Sequence, residues 1–353
     1  MIFQAIRSTG FIWRAPRVFL GGRVCIPRDF DMRHIPVRAV LVAGLSCILS
    51  SCASIRSGSA NDVDRTPRVA VISAFDAELD RLRAATVISS IRIINERTHY
   101  LGRLAGQDVV LLLSGYSMVN AAMTTQSLLD KFSVRSIVFS GIAGGVNPAL
   151  AVGDVTVPVQ WGSYQEQVFA RAVQDGWETN GMAGEYGGYG MMFPRGSSVA
   201  AQRGRPDSLE RRFWFPVDSL ALATAQQVSR TVRLSRCTQT NECLSREPRV
   251  VTGGSGVSGS TFVDNAEYRE WVWRTFHADA LDMETAAVAQ VAYQNRVPYI
   301  AFRSLSDLAG GGAGRNEVRT FGRLAADNSA ALVLAYLRAL PTKQQHRRAG
   351  VAP

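Results

Sequence analysis

The stretch from residue 278 to residue 307 reads Ala278-Asp-Ala-Leu-Asp-Met-Glu284, then Thr285-Ala-Ala-Val-Ala-Gln-Val-Ala-Tyr293, and, after a short connection, Val297-Pro-Tyr-Ile-Ala-Phe-Arg-Ser-Leu-Ser-Asp307. This pattern predicts an apolar strand, a helix of small residues and a second apolar strand. Glu284 and Asp307 each close one of the strands. Because open α/β sheets bind ligands outside the carboxyl ends of their strands, the two acids together predict a site. Singly, each would also fit a helix-start acid or a turn acid.

The same alternation of strands and helices continues along most of the chain. Apolar strands are predicted at 68–74, 107–113 and 135–140, with a helix at 118–132. This repetition predicts an α/β fold with a largely parallel sheet covered by helices, in one domain over 68–342. The alternation weakens over 161–248, which we interpret as an irregular elaboration of the same domain because it lacks apolar periodicity of its own.

The composition suits one large domain behind a targeting segment. The chain has 353 residues, 46% of them hydrophobic, and a formal net charge of +10. Residues 1–52 contain seven Arg and two Asp, so half of the net charge lies in this leader, and residues 343–353 form a further basic tail. Since no basic stripe interleaved with aromatic residues is present in the sequence, we predict no nucleic-acid partner.

The leader over 1–52 is predicted to be a lipoprotein-type signal peptide. A basic segment precedes an apolar run over 39–49 that is too short to span a bilayer. The following Leu49-Ser-Ser-Cys52 resembles a bacterial lipobox, in which Cys52 would be lipidated; the alternative is a plain secretory signal with an incidental cysteine. We expect an exported, periplasmic protein, anchored to the outer membrane only through this lipid, with a polar tether over 53–67.

Cysteine usage agrees with export. Cys237 and Cys243 lie in a polar loop, where a small disulfide is expected in an oxidising compartment. The four histidines form no cluster with ligand spacing, so we predict neither a metal nor any other cofactor.

Five short motifs follow one another along the chain: Ser114-Gly-Tyr-Ser-Met-Val-Asn-Ala-Ala122, Ser140-Gly-Ile-Ala-Gly-Gly-Val146 with Val152-Gly-Asp-Val155, Ser258-Gly-Ser-Thr-Phe-Val263, Asp282-Met-Glu-Thr-Ala-Ala287 and Arg303-Ser-Leu-Ser-Asp307. Their order and spacing resemble the purine nucleoside phosphorylase/nucleosidase superfamily, and most closely its methylthioadenosine/S-adenosylhomocysteine nucleosidases. The resemblance implies a three-layer α/β/α sandwich around a twisted, mixed and largely parallel sheet, often in a homodimer.

The resemblance also assigns the residues that would perform the chemistry. Hydrolysis of an N-glycosidic bond passes through an oxocarbenium-like ribosyl cation while negative charge moves onto the departing purine. Asp307 looks like the general acid that protonates the purine at N7, with Ser306 orienting it and an apolar site raising its pKa. Glu78 resembles the residue that holds the attacking water, assisted by Arg303. Without the resemblance, Glu78 would be an ordinary first-turn acid.

A second set of residues would hold the nucleoside. Glu284 looks like the residue that binds the 2′- and 3′-hydroxyls of the ribose, and Met283 would lie against the sugar. Phe262 resembles the residue that stacks on the base, and Val263 the one whose backbone contacts the base edge. Core positions would explain Met283 and Phe262 equally well.

The backbone and the 5′ end complete the predicted site. Ala143 and Gly144 are predicted to contact the substrate. Gly144 and Gly145 would allow the backbone to approach the ligand closely, although a tight turn alone would also explain these two glycines. The 5′ end of the nucleoside would depend on Phe75, on the 161–248 elaboration and on a partner subunit, so adenosine, methylthioadenosine and S-adenosylhomocysteine all fit the pattern.

The identity of the nucleophile distinguishes the predicted reaction from its alternatives. Phosphorylases carry an Arg and a Ser in their phosphate pocket where this chain has Phe139 and Ile142. An apolar pair cannot bind a dianion, so we predict hydrolysis by water, although nucleosidases usually have a hydroxyl residue in place of Ile142. The alternatives are a phosphate-dependent phosphorylase and, in another class, a non-catalytic nucleoside-binding or storage-like lipoprotein. One observation argues against the latter: the chain has all four of Asp307, Glu284, Glu78 and Arg303.

Overall fold

A computed structural model of the chain describes residues 64–203, 205 and 207–341. The leader over 1–52 with Cys52, residues 53–63 of the predicted tether, and the tail over 343–353 lie outside the described residues. The last residues of the predicted tether belong to the first strand, which begins at Asp64 rather than at the expected residue 68. The Asp64 carboxylate stabilises this start, because it accepts the Thr66 N–H at 2.9 Å and pairs with Arg68.

Strands and helices alternate on either side of a strand-rich middle. One strand is longer than expected, because the predicted strand at 135–140 continues to Gly145, whereas the last strand ends at Asp307 as predicted. The elements, in chain order within the described residues, are β1 (Asp64–Ser73), α1 (Asp76–Ala84), β2 (Val87–Ile94), β3 (Arg97–Leu104), β4 (Gln107–Leu113), α2 (Ser117–Lys131), β5 (Phe132–Gly145), β6 (Val155–Val157), β7 (Gln160–Ser163), β8 (Gln167–Phe169), β9 (Arg171–Val173), β10 (Gly176–Glu178), β11 (Met192–Pro194), β12 (Ser197–Ala200), β13 (Leu209–Arg212), β14 (Trp214–Pro216), α3 (Ser219–Ser229), β15 (Val250–Thr252), β16 (Ser255–Ser258), α4 (Ala266–Phe276), β17 (Ala278–Asp282), α5 (Thr285–Gln294), β18 (Tyr299–Asp307) and α6 (Val318–Ala339).

The central sheet is mixed and largely parallel, as predicted. β1 lies between β4 and β5 and is parallel to both, and β18 is parallel to β5. The path across the sheet is β14-β7-β16-β17-β5-β1-β4-β3-β2, with β6, β15 and β18 attached beside it. β17 pairs antiparallel with the end of β5. The strand that leads to Glu284 therefore runs opposite to β5, although it is parallel to β16 on its other side.

Alternate residues of the central strands face two helical layers. Ala70 and Ile72 of β1 share a buried cluster with residues of α2 and α5. Val69 and Val71 share a second cluster with residues of α1, α3 and α6. Because successive side chains of a strand point to opposite faces, the continuously apolar β1 buries both faces. The fold is the predicted α/β/α sandwich.

The middle of the chain extends one edge of this sheet. β7 pairs with β16, β14 pairs with β7, and β8 to β13 form two-stranded antiparallel sheets.

Farther along, Cys237 and Cys243 are joined by a disulfide, with their Cα atoms 4.0 Å apart. No helix in the described ranges has the length and hydrophobicity needed to cross a membrane.

Candidate active site

A cavity of about 240 Å³ opens where β1, β5, β17 and β18 end. Every residue predicted to be catalytic or substrate-binding lines it, except Arg303, whose guanidinium lies against three of its carboxylates. None of the described residues of the 161–248 elaboration does, contrary to the expectation for the 5′ end. The lining residues are Ala74, Phe75, Glu78, Tyr116, Ile142, Ala143, Gly144, Thr261, Phe262, Val263, Leu281, Asp282, Met283, Glu284, Ser306, Asp307 and Val318.

Asp307 is the last residue of β18 and is 3% exposed. Its Oδ2 accepts from Ser306 Oγ at 2.7 Å, and its Oδ1 accepts from the Ala309 N–H at 2.8 Å and from Asn316 Nδ2 at 3.3 Å. Burial raises the pKa of Asp307 above its ordinary value, although these three donors act to lower it. A carboxyl group with a raised pKa beside a ligand cavity is suited to donate a proton.

Glu78 lies in the first turn of α1, but its carboxylate is buried and faces the cavity. The Ala74 N–H donates to Oε2 at 2.7 Å, and the Ile142 N–H donates to Oε1 at 2.8 Å. Burial raises the pKa of Glu78, and the charge of Arg303 opposes this rise. Two backbone N–H groups thus fix the orientation of the Glu78 carboxylate. An ordinary first-turn acid would face the solvent and would not need these two bonds.

Arg303 is fully buried at the centre of the site. Its Nε lies 2.9 Å from Thr285 Oγ1 and 2.7 Å from Asp282 Oδ2, and its Cζ lies 4.1 Å from the centroid of the Phe139 ring. Nη1 and Nη2 lie 3.8 Å from carboxylate oxygens of Glu78 and Glu284, and neither has a hydrogen-bond partner among the described residues. Since buried polar groups are normally paired, these two nitrogens are suited to bind a ligand.

Gly141 provides the room for this arrangement. A Cβ atom at this position would overlap Nη1 of Arg303 and would lie 2.5 Å from Oε1 of Glu78. The motif Ser140-Gly141 therefore has a steric role that the sequence pattern alone did not define.

Glu284 stands between β17 and α5. Its Oε1 accepts the Ser117 N–H at 2.8 Å. Ser117 has φ of 73°, a left-handed conformation that is uncommon for a residue other than glycine. Burial is the main cause that raises the pKa of Glu284 to about 8, and the charge of Asp282 is the second. The carboxyl group is therefore only partly ionised at neutral pH, and its ionised form can accept hydrogen bonds from ligand hydroxyls.

Asp282 is a supporting residue that the sequence analysis did not assign. It accepts the N–H groups of Glu284 at 3.2 Å and Thr285 at 3.1 Å, and the hydroxyls of Ser258 and Thr285. Together with its contact to Arg303, these bonds hold the start of α5 against β18. An Asp just before a helix is a recognisable cap signal, so the pattern could have identified it.

The remaining predicted residues surround the other end of the cavity. Phe262 is 56% exposed at the mouth, so the alternative of a core aromatic is wrong, whereas Val263 is buried. A Cβ at Gly144 would lie 3.3 Å from Asp307 Oδ1, which makes the backbone there part of the wall. At the mouth, Phe75 stacks on Tyr116, a residue without a predicted role, with ring centroids 5.3 Å apart.

No group of three or more His, Cys, Asp or Glu within the described ranges is arranged to hold a metal ion. The carboxyl, guanidinium and backbone groups of the cavity can donate protons, form hydrogen bonds and stabilise charge.

Residues 68–338 match the model of the phosphorylase superfamily. A 5′-methylthioadenosine/S-adenosylhomocysteine nucleosidase of Tolumonas auensis is 29% identical over 274 residues, which cover 77% of this chain and 100% of that relative. One of Bacillus cereus is 30% identical over 244 residues, which cover 69% and 87%. The crystal structure of the Neisseria meningitidis nucleosidase with methylthio-immucillin-A is 27% identical, covers 77% of this chain and 99% of that chain, and has a TM-score of 0.58.

The fold, the cavity and these similarities place the chain in the phosphorylase superfamily. Within that superfamily, it belongs to the family of the 5′-methylthioadenosine/S-adenosylhomocysteine nucleosidases, as its five motifs predicted.

Proposed function

We propose that the protein hydrolyses the N-glycosidic bond of 5′-methylthioadenosine, S-adenosylhomocysteine or a closely related purine ribonucleoside and releases the base. The observation that carries the proposal is the convergence of Asp307, Glu78 and Glu284 on one cavity, with Arg303 behind them. Relatives of the same family are named as nucleosidases for those two substrates, and one is crystallised with a methylthio-immucillin. The protein is accordingly a glycosidase-type hydrolase.

Asp307 acts as the general acid that protonates the departing base. As the bond between C1′ and N9 breaks, its electron pair moves into the purine, and N7 takes the proton of the neutral acid. The raised pKa of Asp307 favours this protonated form. The Ser306, Ala309 and Asn316 donors then stabilise the carboxylate that remains.

Glu78 and Arg303 bind and activate the attacking water. With Arg303 Nη1 and Glu78 Oε1 3.8 Å apart, a water beside them would accept from the guanidinium and donate to the carboxylate. Glu78 would take the proton that this water loses as its oxygen bonds to C1′. Glu284 would accept from the 2′- and 3′-hydroxyls and hold the ribose in place, which lowers the entropic cost of reaching the transition state.

The cavity favours water over phosphate as the nucleophile. The side chain of Ile142 points toward α6: its Cδ1 atom would lie 4.0 Å from a Cβ atom placed on Gly322. The ring of Phe139 packs against the guanidinium of Arg303. Neither side chain offers a hydrogen-bond donor to an anion. The carboxylate of Glu78 at the same place would repel a phosphate dianion.

Chromatography of adenine released from 5′-methylthioadenosine tests the proposal. We expect release by the wild type without phosphate, and a kcat about 10²- to 10⁴-fold lower in Asp307→Asn, with an unchanged rate in the exposed control Asp175→Asn. A rate that rises with phosphate and yields ribose-1-phosphate would identify a phosphorylase. No release at high enzyme concentration would leave the non-catalytic binder.

We further propose that two chains associate through the outer face of α2. Tyr116, Val119 and Met123 are 57%, 68% and 66% exposed and lie three and four residues apart, so they share one face. Tyr116 also lines the cavity, so a second copy on this face would cover its mouth. Light scattering should give a dimer for the wild type and a monomer for Val119→Asp/Met123→Asp; a wild-type monomer at micromolar concentration would refute the association.

Export and lipid anchoring are also part of the proposed function. The signal-like segment ending at Cys52 supports them, as does the disulfide between Cys237 and Cys243, which is typical of oxidising compartments. We expect mass spectrometry to find a lipid on Cys52 at the mature N-terminus, and Cys52→Ser to move the protein from the membrane fraction to the soluble periplasmic fraction. An unprocessed N-terminus would contradict this.

A further inference from the structure

Asn316, near the end of the loop between β18 and α6, connects three segments of the chain. Its Nδ2 lies 3.3 Å from Asp307 Oδ1 and 3.0 Å from Asp264 Oδ1. Its Oδ1 accepts the Val318 N–H at 3.0 Å. Because a backbone N–H must face the amide oxygen, the NH₂ group of Asn316 faces both carboxylates, and the network defines a single amide orientation.

The loop that carries Phe262 and Val263 is bound to the loop of Asp307 at two points. One is the bond from Asn316 to Asp264, and the other is the Asn265 N–H, which donates to the Ala309 carbonyl at 3.1 Å. The connection over 308–316 contains four glycines, which give its backbone little intrinsic restraint. The side-chain bonds of Asn316 therefore help determine how this connection meets the carboxyl of Asp307.

We propose that Asn316, held by Asp264, is a positioning residue that keeps Oδ1 of Asp307 as an acceptor, so that the acidic proton resides on Oδ2. The proposal rests on the proposed function. Oδ1 already accepts two N–H donors, from Ala309 and Asn316. Oδ2 faces only the Ser306 hydroxyl among the described hydrogen-bond partners, and that hydroxyl also lies 3.4 Å from the Ala143 carbonyl, to which it can turn when Oδ2 is protonated.

The proton balance follows from this assignment. The Oδ2–H bond of Asp307 breaks as the N7–H bond of the purine forms, and the glycosidic electron pair leaves with the base. The oxygen of water bonds to C1′, and the proton that water releases balances the one that Asp307 gives up. The N–H groups of Asn316 and Ala309 stabilise the resulting carboxylate, so Asn316 makes Asp307 a stronger acid.

The expected effect on pH dependence has a definite sign. A donor to the carboxylate lowers the pKa of Asp307, so its removal raises that pKa. The alkaline limb of the kcat profile, where Asp307 loses its proton, then moves to higher pH while kcat falls. The charged groups around Asp307 are Glu317 in its own loop, Asp264 and Arg269 beyond it, and Glu78, Glu284 and Arg303 at the cavity.

The test compares kcat, KM and the pH profile of adenine release from 5′-methylthioadenosine by the wild type, Asn316→Ala and Asp264→Asn. Asn295→Ala, which removes an exposed amide at the far end of α5, is the matched control. For Asn316→Ala we expect kcat to fall about tenfold with little change in KM, because a hydrogen bond to a charged group is worth about that factor or more. The alkaline limb should move to higher pH. Asp264→Asn weakens the hold on Asn316 but also removes a nearby negative charge, so it should lower kcat by a smaller factor with KM unchanged; Asn295→Ala should change neither kcat nor the alkaline limb.

Each outcome bears on the proposal. If the wild type releases adenine but Asn316→Ala keeps its kcat and its alkaline limb, the positioning role is refuted and the proposed function stands. If kcat and the melting temperature both fall but the alkaline limb does not move, Asn316 has only a structural role, and the positioning role is again refuted. An inactive wild type would overturn both proposals. If Asn316→Ala does not fold, Asp264→Asn, whose side chain is exposed, replaces it: a lower kcat at unchanged KM supports the positioning role, and an unchanged kcat refutes it.

Discussion

Glu284→Gln should remove most of the activity and at the same time stabilise the fold. The amide retains an oxygen that can accept the Ser117 N–H, which donates to Glu284 at 2.8 Å. It removes a carboxyl group that is 5% exposed and close to the charge of Asp282. Residues that bind ligand often lower the stability of the unliganded protein, and this site offers a direct measurement of that cost.

The magnitude follows from the pKa of Glu284, which burial and Asp282 raise from 4.5 to about 8. Between these two values the native protein binds a proton that the unfolded chain has released. The free energy of unfolding therefore falls as pH rises through this window. One pKa unit corresponds to about 1.4 kcal/mol. The loss in free energy of unfolding that Glu284 causes is therefore small below pH 4.5, on the order of 3 kcal/mol at pH 7, and largest above pH 8. Gln has no such penalty.

Denaturant unfolding at pH 5, 7 and 8.5 measures this difference, with adenine release as the activity assay. We expect Glu284→Gln to be more stable than the wild type, by a margin that widens with pH, and its kcat/KM to be about a hundredfold lower, because charged hydrogen bonds to the ribose are lost. Glu270→Gln on α4 changes an exposed carboxylate and should stay within about 0.5 kcal/mol of the wild type. A variant that is less stable at pH 7, or a margin that does not grow, would refute the reasoning.

Three other substitutions test separate parts of the structure. Gly141→Ala should lower kcat at least about a hundredfold in a folded protein, because the new methyl group displaces Arg303 from Glu78; steady-state kinetics measures this. Asp154→Ala should lower the free energy of unfolding by about 3 kcal/mol, because it removes a fully buried carboxylate that accepts the Ala151 and Arg249 N–H groups and pairs with Arg246; denaturant unfolding measures this. Ile142→Ser should raise kcat by roughly a few-fold and leave it independent of phosphate, because a hydroxyl adds one contact for the water.

Matched controls separate these effects from general damage. Gly187→Ala adds a methyl group where nothing lies within 4 Å of it, and it should leave kcat unchanged. Asp175→Ala removes an exposed carboxylate and should change the free energy of unfolding by less than about 0.5 kcal/mol. Ile142→Val keeps the apolar character and should not raise kcat. If a control behaves like its test variant, the corresponding contact does not have the role assigned to it.

Much of the local structure could be predicted because it depends on neighbouring residues. The strand at 107–113 has the predicted bounds, and the small-residue helix begins at Thr285 as expected. Apolar periodicity and cap signals act over a few residues, so they are legible in a linear chain. The motifs likewise indicated the family and brought Asp307, Glu284 and Glu78 forward as candidates.

The arrangement of those candidates depends on contacts between distant segments. β17 runs antiparallel to β5, and β5 continues through glycines beyond the predicted strand at 135–140, which brings Ile142 N–H to Glu78. Arg303 had a predicted supporting role, but its position beside three carboxylates, with Asp282 capping α5, emerges only when β18 lies next to β5.

The chain alone therefore defined which chemical groups the protein possesses and which short elements carry them. Their burial, their pKa values and the bonds of Asn316 to Asp307 and Asp264 depend on strand pairing and loop docking. Those contacts join residues far apart in sequence. Local propensity carries no information about them, because desolvation and hydrogen bonding are set by whichever segments the folded chain brings together.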